Sequence, residues 1–458
     1  MTDLIFSSAT EIARRIRERE ISSAEVMEAC LRRIARVNPA LNAVVTLAEN
    51  AHEQARAADA ALHAGELWGP LHGVPMTIKD SFDTAGVRST WGTVGRREYI
   101  PSADATAVAR MKEAGAILLG KTNTSEFTLS FYTNNHIFGP TRNPYNSERM
   151  SGGSSGGAAA IVAAGGSPID LGTDTGGSVR LPAHFCGIAG IRPTSGRVPR
   201  TGHAIPYGGL IDLLTQVGPL ARRVEDLALA LSVISGPDSI DPYIPPMPLG
   251  DYREVELNGL RVAYFTDNGV ATPTPETAAA VERVAGALTA AGCRVEEALL
   301  PGMGDNLELV RGLLGATGRV GLKMALAAAS TALDETTLRF VHTAKALGPE
   351  ELESLLERVD RFRSKSLAWF QPYDLLITPV NAGPALPVGE IEEQIAKFTY
   401  TMTHNLTGWP SAVVRVGTSP EGLPIGVQFT AHPWREDVAL AAAAYAEEVF
   451  GGWQKPNL

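Results

Sequence analysis

Two serine-bearing glycine turns and one lysine are the residues whose spacing suggests chemistry. Ser151–Gly157 is SGGSSGG and Gly172–Arg180 is GTDTGGSVR, so Ser154 and Ser178 lie 24 residues apart. A serine hydroxyl is a weak nucleophile at its free pKa and needs a base. A turn of small residues ending in serine can aim consecutive N–H groups at one point, as an oxyanion hole must. Upstream, the apolar stretch LHGVPMTIKDSF carries Lys79 near its end. Nucleophile, relay and base are therefore all available. Glycine-rich backbone before AAAIVAAG, a helix pattern, also leaves exposed N–H groups and room for close approach.

Two other motifs compete. Gly152-x-Ser154-x-Gly156 and Gly153-x-Ser155-x-Gly157 both match the nucleophile elbow of Ser-His-Asp hydrolases, which needs a strand before the serine and a late histidine. The preceding NPYNSERM is turn-like, although His404 and His432 exist. GAILLGKT, Gly115–Thr122, matches a phosphate-binding loop. Its inner residues form an apolar strand, and helical spacing precedes Gly115. That order is helix, glycine, strand, where phosphate binding needs strand, loop, helix. Nucleotide binding is not expected.

The elements that must hold these residues alternate. Ser8-x-x-Glu11 and Ser22-x-x-Glu25 fit capping boxes of two opening helices, the second stopping near Asn38-Pro39. A strand at Ala43–Leu47, a helix ending around Gly65 and the Lys79 strand follow. Thr122 to Arg149 is long and irregular, rich in turn signals and in aromatics (Phe127, Phe131, Tyr132, Phe138). ARRVEDLALALSVISG is a helix, LRVAYF a strand, PETAAAVERVAGALTAAG a helix, and Gly292 opens another strand. Residues 303–370 are mostly helical and carry no motif. YDLLITP, AVVRVG and GVQFTA are late strands before an alanine-rich helix. This alternation argues for a layered α/β protein, and no repeat or linker divides it.

At 458 residues, 44% hydrophobic and 20% charged, the composition is that of a globular protein. A net charge of −10 offers no basic footprint for nucleic acid. Cys30, Cys186 and Cys293 are far apart and odd in number, which indicates neither a disulfide framework nor a zinc site. No apolar run reaches the roughly 18 residues of a membrane span, and the N-terminus lacks a signal peptide's apolar core. The expectation is a cytoplasmic enzyme without metal, cofactor, membrane or nucleic-acid partner.

The core GGSSGGAAAIVAAGGSPIDLGTDTGGSVRLPAHFCGIAGIRPTSGRV resembles the serine- and glycine-rich signature of the amidase signature hydrolases. GVPMTIKD, GKTNTSEF, GPTRNPYN and NLTGWPSAVVRVG…GLPIGVQF extend the likeness over most of the chain, and it thins through 300–370. The resemblance implies one α/β domain over 1–458: a central mixed β-sheet covered by helices on both faces, with a signature core of about 70–220. It implies a triad of Ser178 as nucleophile, Ser154 on a cis peptide bond as relay, and Lys79 as base, neutral through burial. It further implies an oxyanion hole from the N–H groups of Thr175, Gly176, Gly177 and Ser178, with Ser155, Asp174 and Arg180 holding the two turns together. His184 is expected to be structural.

Family members cleave aryl acylamides, fatty acid amides, indoleacetamide and carbamate or urea-type bonds. Phe131, Tyr132, Phe138 and Tyr207 are expected in the substrate cleft, with the apolar turn Gly208–Leu214 as another wall. The substrate expected is a small aryl or apolar amide, extending to carbamates (urethanes) and esters, acted on by a monomer or homodimer. The alternatives are a glutaminase-type subunit of a tRNA-dependent amidotransferase and a Ser-His-Asp esterase. In the glutaminase branch the signature arginine is typically followed by Gln; here Leu181 follows Arg180.

Overall fold

The computed structural model describes residues 4–205, 208–343, 345–389 and 391–458. Its frame is one sheet of eleven strands. In chain order they are β1 (Val44–Leu47), β2 (Pro75–Lys79), β3 (Ile117–Thr122), β4 (Ile169–Asp174), β5 (Ala189–Arg192) and β6 (Gln216–Ala221). The second group is β7 (Arg261–Tyr264), β8 (Arg294–Glu297), β9 (Leu375–Pro379), β10 (Ser411–Thr418) and β11 (Pro424–Ala431). Across the sheet the order is β1-β3-β2-β4-β6-β5-β10-β11-β9-β7-β8. β2 runs parallel to β3 and β4, and β7 parallel to β8 and β9, while the other pairs are antiparallel. The sheet is mixed, and the chain forms a single large domain around it.

Why the middle strands lack polar–apolar alternation follows from this placement. Every residue of β2, β3, β4, β6, β9 and β11 is buried, as a sheet covered on both faces requires. The helix Gly156–Ala163 is likewise buried all round, which is why its sequence is small and apolar without a polar stripe. Lys121 lies inside β3 with its neighbours Gly120 and Thr122, so GAILLGKT is a helix C-terminus followed by a strand. Both opening caps form: Ser8 Oγ accepts the Glu11 N–H, and Ser22 with Glu25 completes a full capping box. The second helix runs past Asn38-Pro39 to Leu41, because its left-handed stop is Asn42 (φ 52°). The 303–370 stretch is helical in pieces, Asn306–Gly315, Val320–Ala328, Phe340–Thr343 and Pro349–Phe370.

Register fixes the site. Thr77 and Ile78 of β2 pair with Asp170 and Leu171 of β4, so the two parallel strands end side by side. Lys79 closes one and Asp174 closes the other. The carboxyl ends of neighbouring parallel strands are where α/β sheets place their ligands. No helix among the described residues is long and apolar enough to cross a membrane.

Candidate active site

Lys79 is fully buried, and its Nζ lies within hydrogen-bond distance of three hydroxyls: Ser154 Oγ at 2.7 Å, Ser155 Oγ at 2.9 Å and Thr173 Oγ1 at 2.9 Å. No carboxylate forms an ion pair with it among the described residues. Burial drives its pKa well below 10.5, against the pull of Asp174 and Asp170. Asp170, buried below and hydrogen-bonded by Thr77 and Thr122, is itself pushed up to about 7, chiefly by burial. Both shifts favour neutral forms. An amine so held can take a proton from a hydroxyl rather than merely balance a charge.

The glycine loop that carries Ser154 is packed too closely for side chains. A Cβ on Gly153 would stand 2.5 Å from the Phe131 carbonyl carbon, and one on Gly157 2.4 Å from the Asn123 nitrogen. The Gly153–Ser154 peptide bond is cis. Thr133 braces the loop, donating to the Ser154 carbonyl at 3.2 Å and accepting the Gly156 N–H at 2.9 Å. The loop then joins the second turn, where the Ser155 N–H donates to the Ser178 carbonyl at 3.3 Å.

Asp174 organises that second turn. Its Oδ1 accepts from Gly177 N–H (2.8 Å), Arg180 Nη2 (3.0 Å) and Asn405 Nδ2 (2.9 Å). Its Oδ2 accepts from Arg180 Nε (3.0 Å) and Val179 N–H (3.1 Å). Burial alone would raise this carboxyl, but the Arg180 and Arg192 charges and the Asn405 amide hold it far below the usual range. Arg180, fully buried, reaches on to the Thr401 carbonyl at 3.0 Å and to Asn405 Oδ1 at 2.7 Å. Thr401 in turn donates to the Gly176 carbonyl at 2.6 Å. The turn is thus clamped by the helix Thr399–Thr407, from the far end of the chain.

Ser178, 4% exposed, lines a cavity of about 650 Å³ together with Thr175 and Gly176. Phe131 and Tyr132 form part of its wall, and Phe131 stacks on Phe398 with ring centroids 4.6 Å apart. Leu307, Val310 and Leu314 of one helix and Ile391, Ile395 and Met402 supply most of the apolar remainder. A volume of this size suits a whole small-molecule substrate.

Several expectations need correction. The Gly177 N–H is bonded to Asp174 and Gly177 does not line the cavity, whereas Thr175, Gly176 and Ser178 do. Phe138 lies away from the cavity: its ring faces the Arg88 guanidinium at 5.9 Å. The turn Gly208–Leu214 does not line it either, although Leu210 packs against the same apolar cluster that supplies the cavity wall. Tyr207 lies outside the described residues. Sequence reasoning also missed Thr173, Thr133, Thr401, Asn405 and the 303–370 wall.

The rival constellations come apart here. His404 is buried against the Thr430 hydroxyl at 3.4 Å, and His432 Nε2 meets the Tyr373 carbonyl at 2.7 Å; neither hydrogen-bonds a serine of the two turns. His184 bridges the Gly383 carbonyl and the Gly426 N–H, and burial lowers its pKa to about 4, as a structural residue requires. Lys121 is fixed to the Phe82 carbonyl at 2.5 Å, the Ser89 hydroxyl at 2.9 Å and Asp80 at 3.6 Å.

Comparison with known proteins agrees with this geometry. The amidase family model matches residues 25–440. A glutamyl-tRNA(Gln) amidotransferase subunit from Moorella thermoacetica is 38% identical, covering 97% of each chain. A substrate-bound 6-aminohexanoate cyclic dimer hydrolase superposes with a TM-score of 0.89 at 31% identity over 99% of each chain. A bacterial aryl acylamidase of the amidase signature enzymes superposes with a TM-score of 0.84 at 28% identity over 96% of each. The chain belongs to the amidase signature family of amide-hydrolysing enzymes.

Proposed function

We propose that this enzyme hydrolyses linear amides of small aryl or apolar molecules, and carbamates (urethanes) and esters of similar shape, through an acyl-enzyme on Ser178. The observation that carries this reading is the buried Lys79 amine, held against the Ser154 hydroxyl at 2.7 Å without an ion-pair partner among the described residues, behind a largely apolar cavity lined by Ser178. Ser178 Oγ attacks the carbonyl carbon while its proton passes through Ser154 to neutral Lys79. The carbonyl oxygen takes up the electron pair and is met by the turn amides; each such donor is worth about 3 kcal/mol in the transition state. Collapse breaks the C–N bond, and the proton returns through Ser154 to the departing nitrogen. Water then attacks the ester carbonyl by the same route and frees Ser178. Arg180, Asp174 and Ser155 are positioning residues in this scheme.

A second reading is a glutaminase-type subunit that acts only with partner proteins. It is favoured by the 38% identity to the Moorella thermoacetica amidotransferase chain. Against it stands Leu181 after Arg180. One experiment separates the two. The purified chain is treated with a fluorophosphonate, digested and mapped by mass spectrometry, and assayed alone on 4-nitroacetanilide and a 4-nitrophenyl carbamate. An adduct on Ser178 that Lys79→Ala abolishes, with hydrolysis by the chain alone, is expected. Adducts on Ser154 or Ser155 overturn the assignment of roles, and ammonia release from glutamine only in the presence of partners selects the second reading.

A further inference from the structure

The wall supplied by residues 303–370 is not uniformly apolar. Arg311, Arg319 and Arg339 line the main cavity, and no carboxylate does so among the described residues. A side pocket of about 210 Å³ shares Arg311, Arg319 and Phe340 with it and adds Lys345, again without a carboxylate. Four cations and no described anion is an unexpected local balance for a chain with 50 acidic and 40 basic residues. On such a surface most arginines find partners, as Arg358 does with Glu308 at 2.6 Å.

Arg319 is the focus. It is half-buried, and its backbone is held in the left-handed region at φ 58°, where a non-glycine side chain is unfavourable. Its guanidinium carbon sits 3.9 Å from the centre of the Phe340 ring, and its Nε is buried without a hydrogen-bond partner. Burial lowers its pKa and no carboxylate opposes that shift. The side chains of Arg311, Arg319 and Arg339 form no hydrogen bond or ion pair among the described residues. Buried donors without acceptors are costly, and planar guanidinium groups match carboxylates in two-pronged fashion.

We propose that the part of the cavity adjoining the side pocket is an anion subsite, in which Arg319, with Arg311, Arg339 and Lys345 around it, takes a carboxylate of the substrate. The favoured substrate class is then an amide with an apolar or aryl middle and a terminal carboxylate. This rests on the amide-hydrolase reading above and deepens it. The carboxylate can belong to the acyl part, as in half-anilides of dicarboxylic acids, or to the leaving part, as in acylated aminobenzoates.

Matched pairs of substrates test it. On the acyl side, the mono-anilides of butanedioic and hexanedioic acid are compared with butyranilide and hexananilide. On the leaving side, N-acetyl-4-aminobenzoate is compared with N-acetyl-4-toluidine. For at least one pair, kcat/KM is expected to favour the carboxylate by about tenfold or more, mainly through KM, and to lose that preference as salt is raised. In Arg319→Ala, and in Arg311→Ala/Arg339→Ala on the exposed rim, the ratio falls toward one. A ratio near one in the wild type, or a ratio that both variants leave intact, overturns the subsite. Binding of 4-phenylbutanoate against 4-phenylbutanamide, measured by calorimetry, gives a readout that needs no turnover. Tight carboxylate binding lost in Arg319→Ala with no hydrolysis of any pair would leave the subsite standing and sink the proposed small aryl or apolar amide substrates; equal binding of acid and amide overturns the subsite itself.

Discussion

Replacing Asp174 with Asn tests whether one carboxylate organises the turn that carries Ser178. The carboxylate accepts five hydrogen bonds shorter than 3.2 Å, from Gly177, Val179, Asn405 and twice from Arg180. An amide can accept only through its oxygen, while its NH₂ donates. If the NH₂ takes the Oδ2 position it confronts the Val179 N–H and Arg180 Nε; in the Oδ1 position it confronts three donors. At least two buried donors are orphaned, and fully buried Arg180 loses its counter-ion. Breaking a buried pair from one side costs about 3–5 kcal/mol. Against a total stability of roughly 5–15 kcal/mol, that is a large share. In the proposed mechanism the turn amides act on the reacting carbonyl, so kcat should fall about 10²–10³-fold with KM little changed. Urea unfolding measures the first effect, and steady-state kinetics on the folded fraction the second. The Asp174 carboxyl is depressed from 3.8, so its contribution to stability is complete above that value and is lost as pH falls through the depressed one. The gap between wild type and variant should therefore be constant near neutrality and close in acid. An unfolding free energy within about 1 kcal/mol of wild type, with kcat unchanged, would refute the clamp.

Lys79→Met should abolish hydrolysis by at least about 10²–10⁴-fold, while His404→Ala and His432→Ala keep the Ser178 adduct. In the wild type, activity should fall as pH drops through the lowered Lys79 pKa, and a flat acid profile would count against a lysine base. The same substitution carries a stability signature. Unfolded Lys79 titrates near 10.5 and folded Lys79 lower, so the wild type gains stability relative to Lys79→Met as pH rises between the two values; parallel curves would contradict the shift. Glu126→Gln addresses the cavity wall. Buried Glu126 accepts from Thr93 at 2.7 Å, from the Thr336 and Thr337 hydroxyls at 2.8 and 2.7 Å, and from the Thr337 N–H at 2.6 Å, tying the wall segment to the core. KM for a bulky aryl amide should rise severalfold, about 1 kcal/mol, while kcat for a minimal acetamide changes little; the reverse split would place Glu126 with the chemistry. Phe131→Ala should weaken aryl amide binding whereas Phe138→Ala should not, and equal effects would redraw the cavity.

The glycine–serine turns and the candidate triad were legible because their positions admit few residue types. Gly153 and Gly157 cannot carry a Cβ, and the proposed proton relay needs hydroxyls beside an amine. The cavity wall has no such signature. Leu307, Val310 and Leu314 show ordinary helical spacing, which looks the same whether the stripe faces a core or an empty cavity. Phe131 and Phe138 sit on one loop, and nothing in their type says that only the first turns toward Ser178. Gly177 carries a readable signal of its own. An aspartate commonly captures an N–H two or three residues on, and Asp174-x-x-Gly177 has that spacing. The helix Thr399–Thr407 hid its role because Thr401 and Asn405 reach the turn at Gly176 and Asp174, more than 200 residues away in sequence.

Lys79 and Lys121 show how far residue type alone can carry a functional reading. They lie on adjacent parallel strands, with Ile78 in register with Lys121 and Lys79 with Thr122, and both are fully buried. Each belongs to a motif with a chemical meaning. What separates them is the acceptor each ammonium finds. Lys121 meets the Phe82 carbonyl, the Asp80 carboxylate and one hydroxyl, that of Ser89, whose own proton goes to the Val87 carbonyl at 3.0 Å. Lys79 meets three hydroxyls, groups that can both accept from the amine and donate to it. Burial lowers the pKa of both amines, but among the described residues only Lys121 has an ion-pair partner to offset it, and only Lys79 has hydroxyls for all three of its partners. The chemistry follows from the second partner, not from the lysine.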